Sequence, residues 1–326
     1  MKYNEIEKCV NFNEKEVFFM PNEIFKELKE SIHNTQQLTF AYSYLYLITY
    51  LYRYCKFGIN GHIDGNKIRE ILGYSPNTRS INPLIKKDGL LDQMEFTSTQ
   101  KDYPIAWSYD DNENDLNFMM FSDLEEEEKD LYKSTMNRKF TVKMPTRAFY
   151  RHVHDEEWKK AYDEDGEIDG TFFNIDNTHS IPFEVFMFCM DNDKIGCGGF
   201  FLYSYLKHRC DIFNWGYDCS VESMAEETGI PLRTLTNYLD VLKKYKMIDC
   251  MINQKSFVLG LPNKERMANT YSIRTIGEFS DKPQSYAKIK VQTRAEYYQE
   301  KKEEMEMLKG VLEGESVDIP LESIPF

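Results

Sequence analysis

The chain has 326 residues, with 54 acidic against 40 basic side chains for a net charge of −14, and is 41% hydrophobic and 14% aromatic. That size accommodates two or three domains, the apolar content excludes wholesale disorder, and the acidity disfavours indiscriminate nucleic-acid binding while leaving room for a local basic face. Seven cysteines, an odd number without a C-x-x-C pair, point to reduced thiols in a cytoplasm rather than a disulfide framework.

In chain order, MKYNEIEKCVNFNEKE is charged throughout and offers no export signal. AYSYLYLITYLYRY (41–54) is the longest apolar run. Ser43, Thr49 and Arg53 interrupt it, and it is shorter than the roughly 20 residues of a membrane span. It reads as an aromatic-rich helix over 42–56. GNKIREIL follows Asp64, a good N-cap, as a short second helix. A tight turn at Gly73 leads to a third helix within LGYSPNTRSINPLIKKDGLLD (72–92), although Pro83 falls inside it, where proline kinks or breaks the element. Hairpin-like strands follow in LLDQMEFTSTQ with IAWSYD or LNFMMFSDL. Acidic blocks at 110–115, 123–130 and 155–169 read as loops and solvated surface, and 126–177 as an acidic linker.

From 178 the same order returns. A helix over 200–212 precedes VESMAEET behind the N-cap Ser220, then a turn at Gly229. TGIPLRTLTNYLDVLKKYKMID (228–249) carries Leu235, Leu239 and Leu242 at helical spacing, with Pro231 where a helix begins without losing a needed hydrogen bond. Strands are expected in MIDCMINQKSFVLG and NTYSIRTI. An acidic helical tail over 281–326 closes the chain.

The two stretches are copies. PNEIF (21–25) returns as PFEVF (182–186) and YSYL (42–45) as YSYL (203–206), both displaced by 161 positions. Gly73 answers Gly229, Thr78 answers Thr234, and Lys86-Lys87 answer Lys243-Lys244. Three helices and a β-hairpin, with a short turn between the second and third helices, spell a winged helix-turn-helix. The expected fold is therefore α+β, two such modules in tandem at 1–125 and 178–280.

GIPLRTLTNYLDVLKKYKMID resembles the turn and recognition helix of winged-helix DNA-binding domains, with Lys246 where the first copy keeps the usual glycine. The lead-ins FFMPNEIF, SIPFEVF and KMPTRAFY resemble the opening of plasmid and phage replication initiators of Gram-positive bacteria and of DnaD-type primosome proteins. The resemblance covers 18–125 and 178–277. It implies a third helix in the major groove, its N-terminal residues on base edges. Those are Arg233, Thr234, Thr236 and Asn237 in the second copy, Arg suiting guanine and Asn adenine. Lys243 and Lys244 would hold phosphates. The first copy's counterparts are Asn77, Thr78, Arg79, Ser80 and Asn82, then Lys86 and Lys87. Lys101, Gln254 and Lys255 would lie along the minor groove or the backbone as wing residues. The same lysines also complement a helix macrodipole without any DNA, and winged helices also serve as protein-interaction modules. The terminal DIPLESIPF resembles the acidic tip of bacterial single-stranded-DNA-binding proteins, which implies partner recruitment through Ile324, Pro325 and Phe326, with the aromatic ring filling an apolar pocket.

Catalytic and metal patterns are thin. HVHD (152–155) has the histidine spacing of rolling-circle nucleases, and Tyr298 with Lys301 has the spacing of their nucleophile. Yet PTRAFYR before it reads as helix, which separates the imidazoles, and Tyr298 lies in a charged tail. DEDGEIDG lacks the acids of a calcium loop at both ends. GCGGF (196–200) lacks a phosphate loop's lysine and reads as a turn ahead of a helix. No enzyme, no cofactor and no metal are expected. The expected function is sequence-specific binding of duplex DNA at a replication origin, as a possible homodimer. A transcriptional regulator or a protein-interaction module is the alternative.

Overall fold

A computed structural model describes residues 1–58, 63–110, 115–135, 140–151, 169–214, 216–262, 265–287 and 289–312. The chain is a mixed α+β protein with small sheets. The first half runs α1 (Tyr3–Val10), β1 (Met20–Pro21), α2 (Ile24–Ser31), α3 (Thr35–Arg53), α4 (Gly65–Ile71), α5 (Asn82–Ile85), α6 (Leu90–Gln93) and β2 (Thr97–Gln100). A hairpin of β3 (Pro104–Asp110) and β4 (Asp115–Met120) follows, then α7 (Glu126–Thr135), β5 (Val142–Pro145) and α8 (Thr146–Phe149). The second half runs β6 (Thr178–His179), α9 (Phe183–Asp191), α10 (Gly196–Phe213), β7 (Tyr217–Cys219), α11 (Val221–Thr228) and α12 (Leu232–Lys244). It ends with β8 (Ile248–Met251), β9 (Ser256–Val258), β10 (Asn269–Ile273), β11 (Lys290–Gln292) and α13 (Arg294–Leu312).

Helix α3 is buried on all sides from Leu38 to Tyr52, as a helix apolar all round its circumference must be. Four tyrosines, Tyr42, Tyr46, Tyr50 and Tyr54 at its end, recur every fourth residue, so their hydroxyls form one row, and each of the four finds a partner. Tyr42 pairs with His179 Nε2 at 2.8 Å, Tyr46 donates to the Ile181 carbonyl at 2.7 Å, Tyr50 to Glu16 at 2.5 Å and Tyr54 to the Val17 carbonyl at 2.6 Å. The row thus ties α3 to the two extended segments that meet as β1 and β6. There Met20 faces His179 in antiparallel register. The 161-residue displacement exchanges that pair for Ile181 and Phe18, which fall on the same register line, so the pairing sits where an internal twofold would pass.

The repeated YSYL marks the crossing of α3 and α10. Ser43 and Ser204 occupy equivalent positions and are both fully buried, Ser204 beside Tyr42 and Ser43 beside Cys197. Small side chains there let two aromatic helices approach. One continuous hydrophobic core runs through both halves, where two cores joined by a linker were expected.

Part of the expected linker belongs to the first half. β5 pairs with β2, with Thr97 opposite Pro145, and β3 pairs with β4. This corrects the expected pairing of LLDQMEFTSTQ with one of the next two strands; Leu90–Gln93 is helical instead. α8 is fastened to α2 by Arg147–Glu27 at 3.2 Å and Arg151–Glu23 at 2.6 Å.

A second correction concerns the first copy's third helix. Between Gly73 and Gly89 only Asn82–Ile85 is helical, and 74–81 is turn and irregular chain. Pro76 and Pro83 each remove an amide donor and restrict the preceding residue, so no full helix forms. GCGGF is likewise no turn ahead of a helix: Gly196–Phe213 is helical from its first glycine.

In the second half β7, β10 and β8 form one antiparallel sheet in that order, so a strand preceding α11 lies beside the last strand of the unit. β9 and β11 form a separate parallel ribbon.

Candidate nucleic-acid interface

The side chains of interest are set by three local features. Ser220 accepts a hydrogen bond from the Ser223 amide and starts α11. Gly229, at φ +72°, ends it, and the stem of Lys29 from α2 packs on it: a β-carbon at 229 would lie 2.9 Å from Lys29 Cγ. Pro231 then begins α12, whose Leu235, Leu239 and Leu242 are buried. That stripe leaves Arg233, Thr236 and Asn237 exposed and Thr234 half-buried. Thr236 Oγ1 donates to the Leu232 carbonyl at 2.8 Å.

The C-terminal end of α12 is strapped. The amides of Ser280 and Gln284 donate to the carbonyls of Tyr245 and Lys244, at 2.9 and 2.7 Å. Lys243 Nζ lies over the Tyr286 ring, 4.5 Å from its centroid. Lys244 pairs with Asp240 at 2.6 Å, and Tyr286 donates its hydroxyl to the same carboxylate. Burial works upward on Asp240, yet these hydrogen bonds hold it below the usual carboxylate range. Burial first, and Asp240 second, push the Tyr286 phenol up to about 12. Lys246, in the left-handed region at φ +53°, follows directly.

Between α12 and the strands beyond it lies a groove of about 650 Å³, lined by Leu232, Thr236, Asn237, Ile252, Phe257 and Met267 among others. Lys255, expected along a nucleic-acid backbone, pairs with Glu304 of α13 at 2.5 Å, both exposed; Gln254 lines the groove and accepts from the Met267 amide.

In the first half the expected reading residues do not share a helix face. Asn77, Thr78, Arg79 and Ser80 lie in the turn, Arg79 and Ser80 exposed, the Ser80 carbonyl accepting from Gln37 at 2.8 Å. Asn82 accepts from Arg69 at 3.0 Å. Lys86 and Lys87 are exposed but follow the helix end, and Lys101 is exposed past β2.

Ile324, Pro325 and Phe326 lie outside the described residues, as do His152, His154 and most of DEDGEIDG. Tyr298 hydrogen-bonds to Glu265 at 3.0 Å. Among the described residues no group of three His, Cys, Asp or Glu side chains is placed to hold a metal, and no helix is long and apolar enough to cross a membrane. Sequence reasoning missed Lys29, which reaches the end of α11, and the Ser280–Tyr286 strap, which reaches the end of α12, because both come from distant parts of the chain. No family model matches the chain, no curated protein matches it, and no solved structure matches it.

Proposed function

We propose that the second half is a winged helix-turn-helix that binds duplex DNA sequence-specifically, and that the chain acts as a non-enzymatic replication initiator of a plasmid or phage. One observation carries the reading: the order α10, β7, α11, tight turn, α12, β8, β10, with the sheet ordered β7-β10-β8, goes with an α12 whose Arg233, Thr236 and Asn237 face solvent. A helix so presented fits the major groove, where Arg and Asn each form paired hydrogen bonds to a base. The first half, a diverged copy with a truncated third helix, contributes Arg79, Lys86 and Lys87 as phosphate contacts. Recruitment of replication proteins falls to the terminal segment.

A protein-interaction role for the same module is favoured by the apolar groove beside α12, which offers little to phosphates.

Selection from a random duplex pool at 50 mM salt tests the reading. Enrichment of one motif is expected, with Arg233→Ala weakening it by about tenfold or more, as loss of a base contact worth 1–3 kcal/mol does. A pool that returns no motif, or a motif indifferent to Arg233, overturns the assignment.

A further inference from the structure

We infer that two copies of this chain associate through the second half, with the end of α13 from each copy docking against the apolar groove and ribbon of the other. The surface involved is unusual for one facing water. In the β9–β11 ribbon Phe257 pairs with Val291, so the two share a face, and Leu259 continues it. These three leave 53, 62 and 65% of their surface exposed. The ribbon runs into the groove beside α12, whose walls expose Leu232, Ile252 and Met267.

The complementary piece is on the same chain. α13 is anchored at its base by Gln292 donating to Glu300 at 2.6 Å, by Tyr298 on Glu265, and by Lys255–Glu304. Beyond Glu304 it continues for two turns. Met305 and Leu308, one turn apart on one face, leave 52 and 63% of their surface in water. An apolar-faced helix end and an apolar groove are the two parts of a helix-in-groove contact. Within one copy they leave each other uncovered. A twofold axis satisfies both at once, because each copy gives one helix and receives one.

The area is sufficient. The eight large apolar side chains named above each expose roughly half of about 200 Å², or about 800 Å² per copy. A stable interface takes about 800 Å² per partner. Thr236 and Asn237 line the same groove, which makes this dimer and a duplex lying along α12 alternatives.

Light scattering coupled to gel filtration of the full chain, from 1 to 200 μM, tests this without any DNA. A concentration-dependent dimer is expected. Leu308→Asp and Phe257→Asp, each checked for native unfolding midpoint, should each raise the dimer dissociation constant at least tenfold. An equimolar mixture of the two variants keeps one intact helix–groove contact, so it should associate more tightly than either variant alone. A wild-type chain that stays monomeric to 200 μM overturns the proposal, as does a dimer insensitive to both changes or a mixture no tighter than its components.

Discussion

Tyr238 of α12 sets the hydroxyl end of its ring against Gly198 of α10, so closely that a β-carbon built on the glycine would overlap the phenol. The glycine is what lets α12 seat on the aromatic α10. Gly198→Ala must push a half-buried ring and with it the axis of α12, and overpacking of this kind costs about 1–3 kcal/mol. Urea unfolding should show the midpoint fall. Adding Tyr238→Ala should restore part of it by making room; a Gly198→Ala chain as stable as wild type would show that the helices do not meet there.

The strap over α12 makes a second prediction, on binding. Tyr286 occupies Lys243 and Asp240 occupies Lys244, so both cations are engaged within the chain. A cation over an exposed ring is held by about 0.5–1 kcal/mol. Tyr286→Ala should therefore tighten duplex binding by about two- to fivefold. Asp240→Asn should free Lys244 for a phosphate and steepen the dependence of log affinity on log salt by about 0.9. Fluorescence anisotropy between 50 and 200 mM salt reads both; unchanged affinity and slope would show that neither lysine reaches a phosphate.

What was legible in the sequence follows from how local each signal is. The N-caps Asp64 and Ser220, the turns at Gly73 and Gly229, and the leucine stripe of α12 are all where local pattern places them, because each is decided within a few residues. The repeat gave away α3 and α10 as equivalents. Their mutual packing was not readable, since an aromatic helix buried on every side has no periodicity to say what covers it. The pairing of β2 with β5 skips a hairpin and a helix, and register across such a gap is set by tertiary contacts. At the site, the exposure of Arg233, Thr236 and Asn237 was legible; the capture of Lys243 by Tyr286 and of Lys255 by Glu304, each some 40 to 50 positions away, was not.

The strand β5 is held by a buried ion pair whose two members repay separate changes. Lys143 Nζ lies 2.6 Å from Asp92, with both side chains about nine-tenths buried, and Thr97 and Thr99 donate to the same carboxylate at 2.5 and 3.0 Å. Burial pushes the Lys143 ammonium down, while Asp92 works against it. Removing one partner leaves the other charged and uncompensated, which costs about 3–5 kcal/mol. Lys143→Met should lower the unfolding free energy by that order. Lys143→Met with Asp92→Leu, which leaves no orphaned charge, should recover much of it. A double variant no better than the single would mean that the threonine hydrogen bonds, not the charge, hold the strand.

The contact between the halves carries a built-in acid sensitivity. His179 is fully buried beside Tyr42, its Nε2 2.8 Å from the Tyr42 hydroxyl and its Nδ1 2.9 Å from Asn22 Oδ1. Asn22 in turn donates its amide to Asn177 at 3.1 Å, which orients it. Of the two neutral tautomers, only the one protonated on Nδ1 satisfies both contacts: it donates to Asn22 and accepts from Tyr42. Burial, then the neighbouring His208 and Lys207, hold His179 well below its ordinary value. His208 stacks on Phe25 at 5.5 Å and is lowered to about 4 by burial and by Arg209, against the pull of Asp211 and Glu23. A histidine whose folded pKa lies below its unfolded value of about 6.5 binds its proton more readily when unfolded. Its contribution is therefore complete above pH 6.5 and is lost as pH falls from 6.5 toward 4. The urea midpoint should decline between pH 6.5 and 5, a window above the ordinary carboxylate range, and His208→Gln should flatten the decline. A wild-type midpoint level across that window would mean that the two rings are not held neutral between the halves.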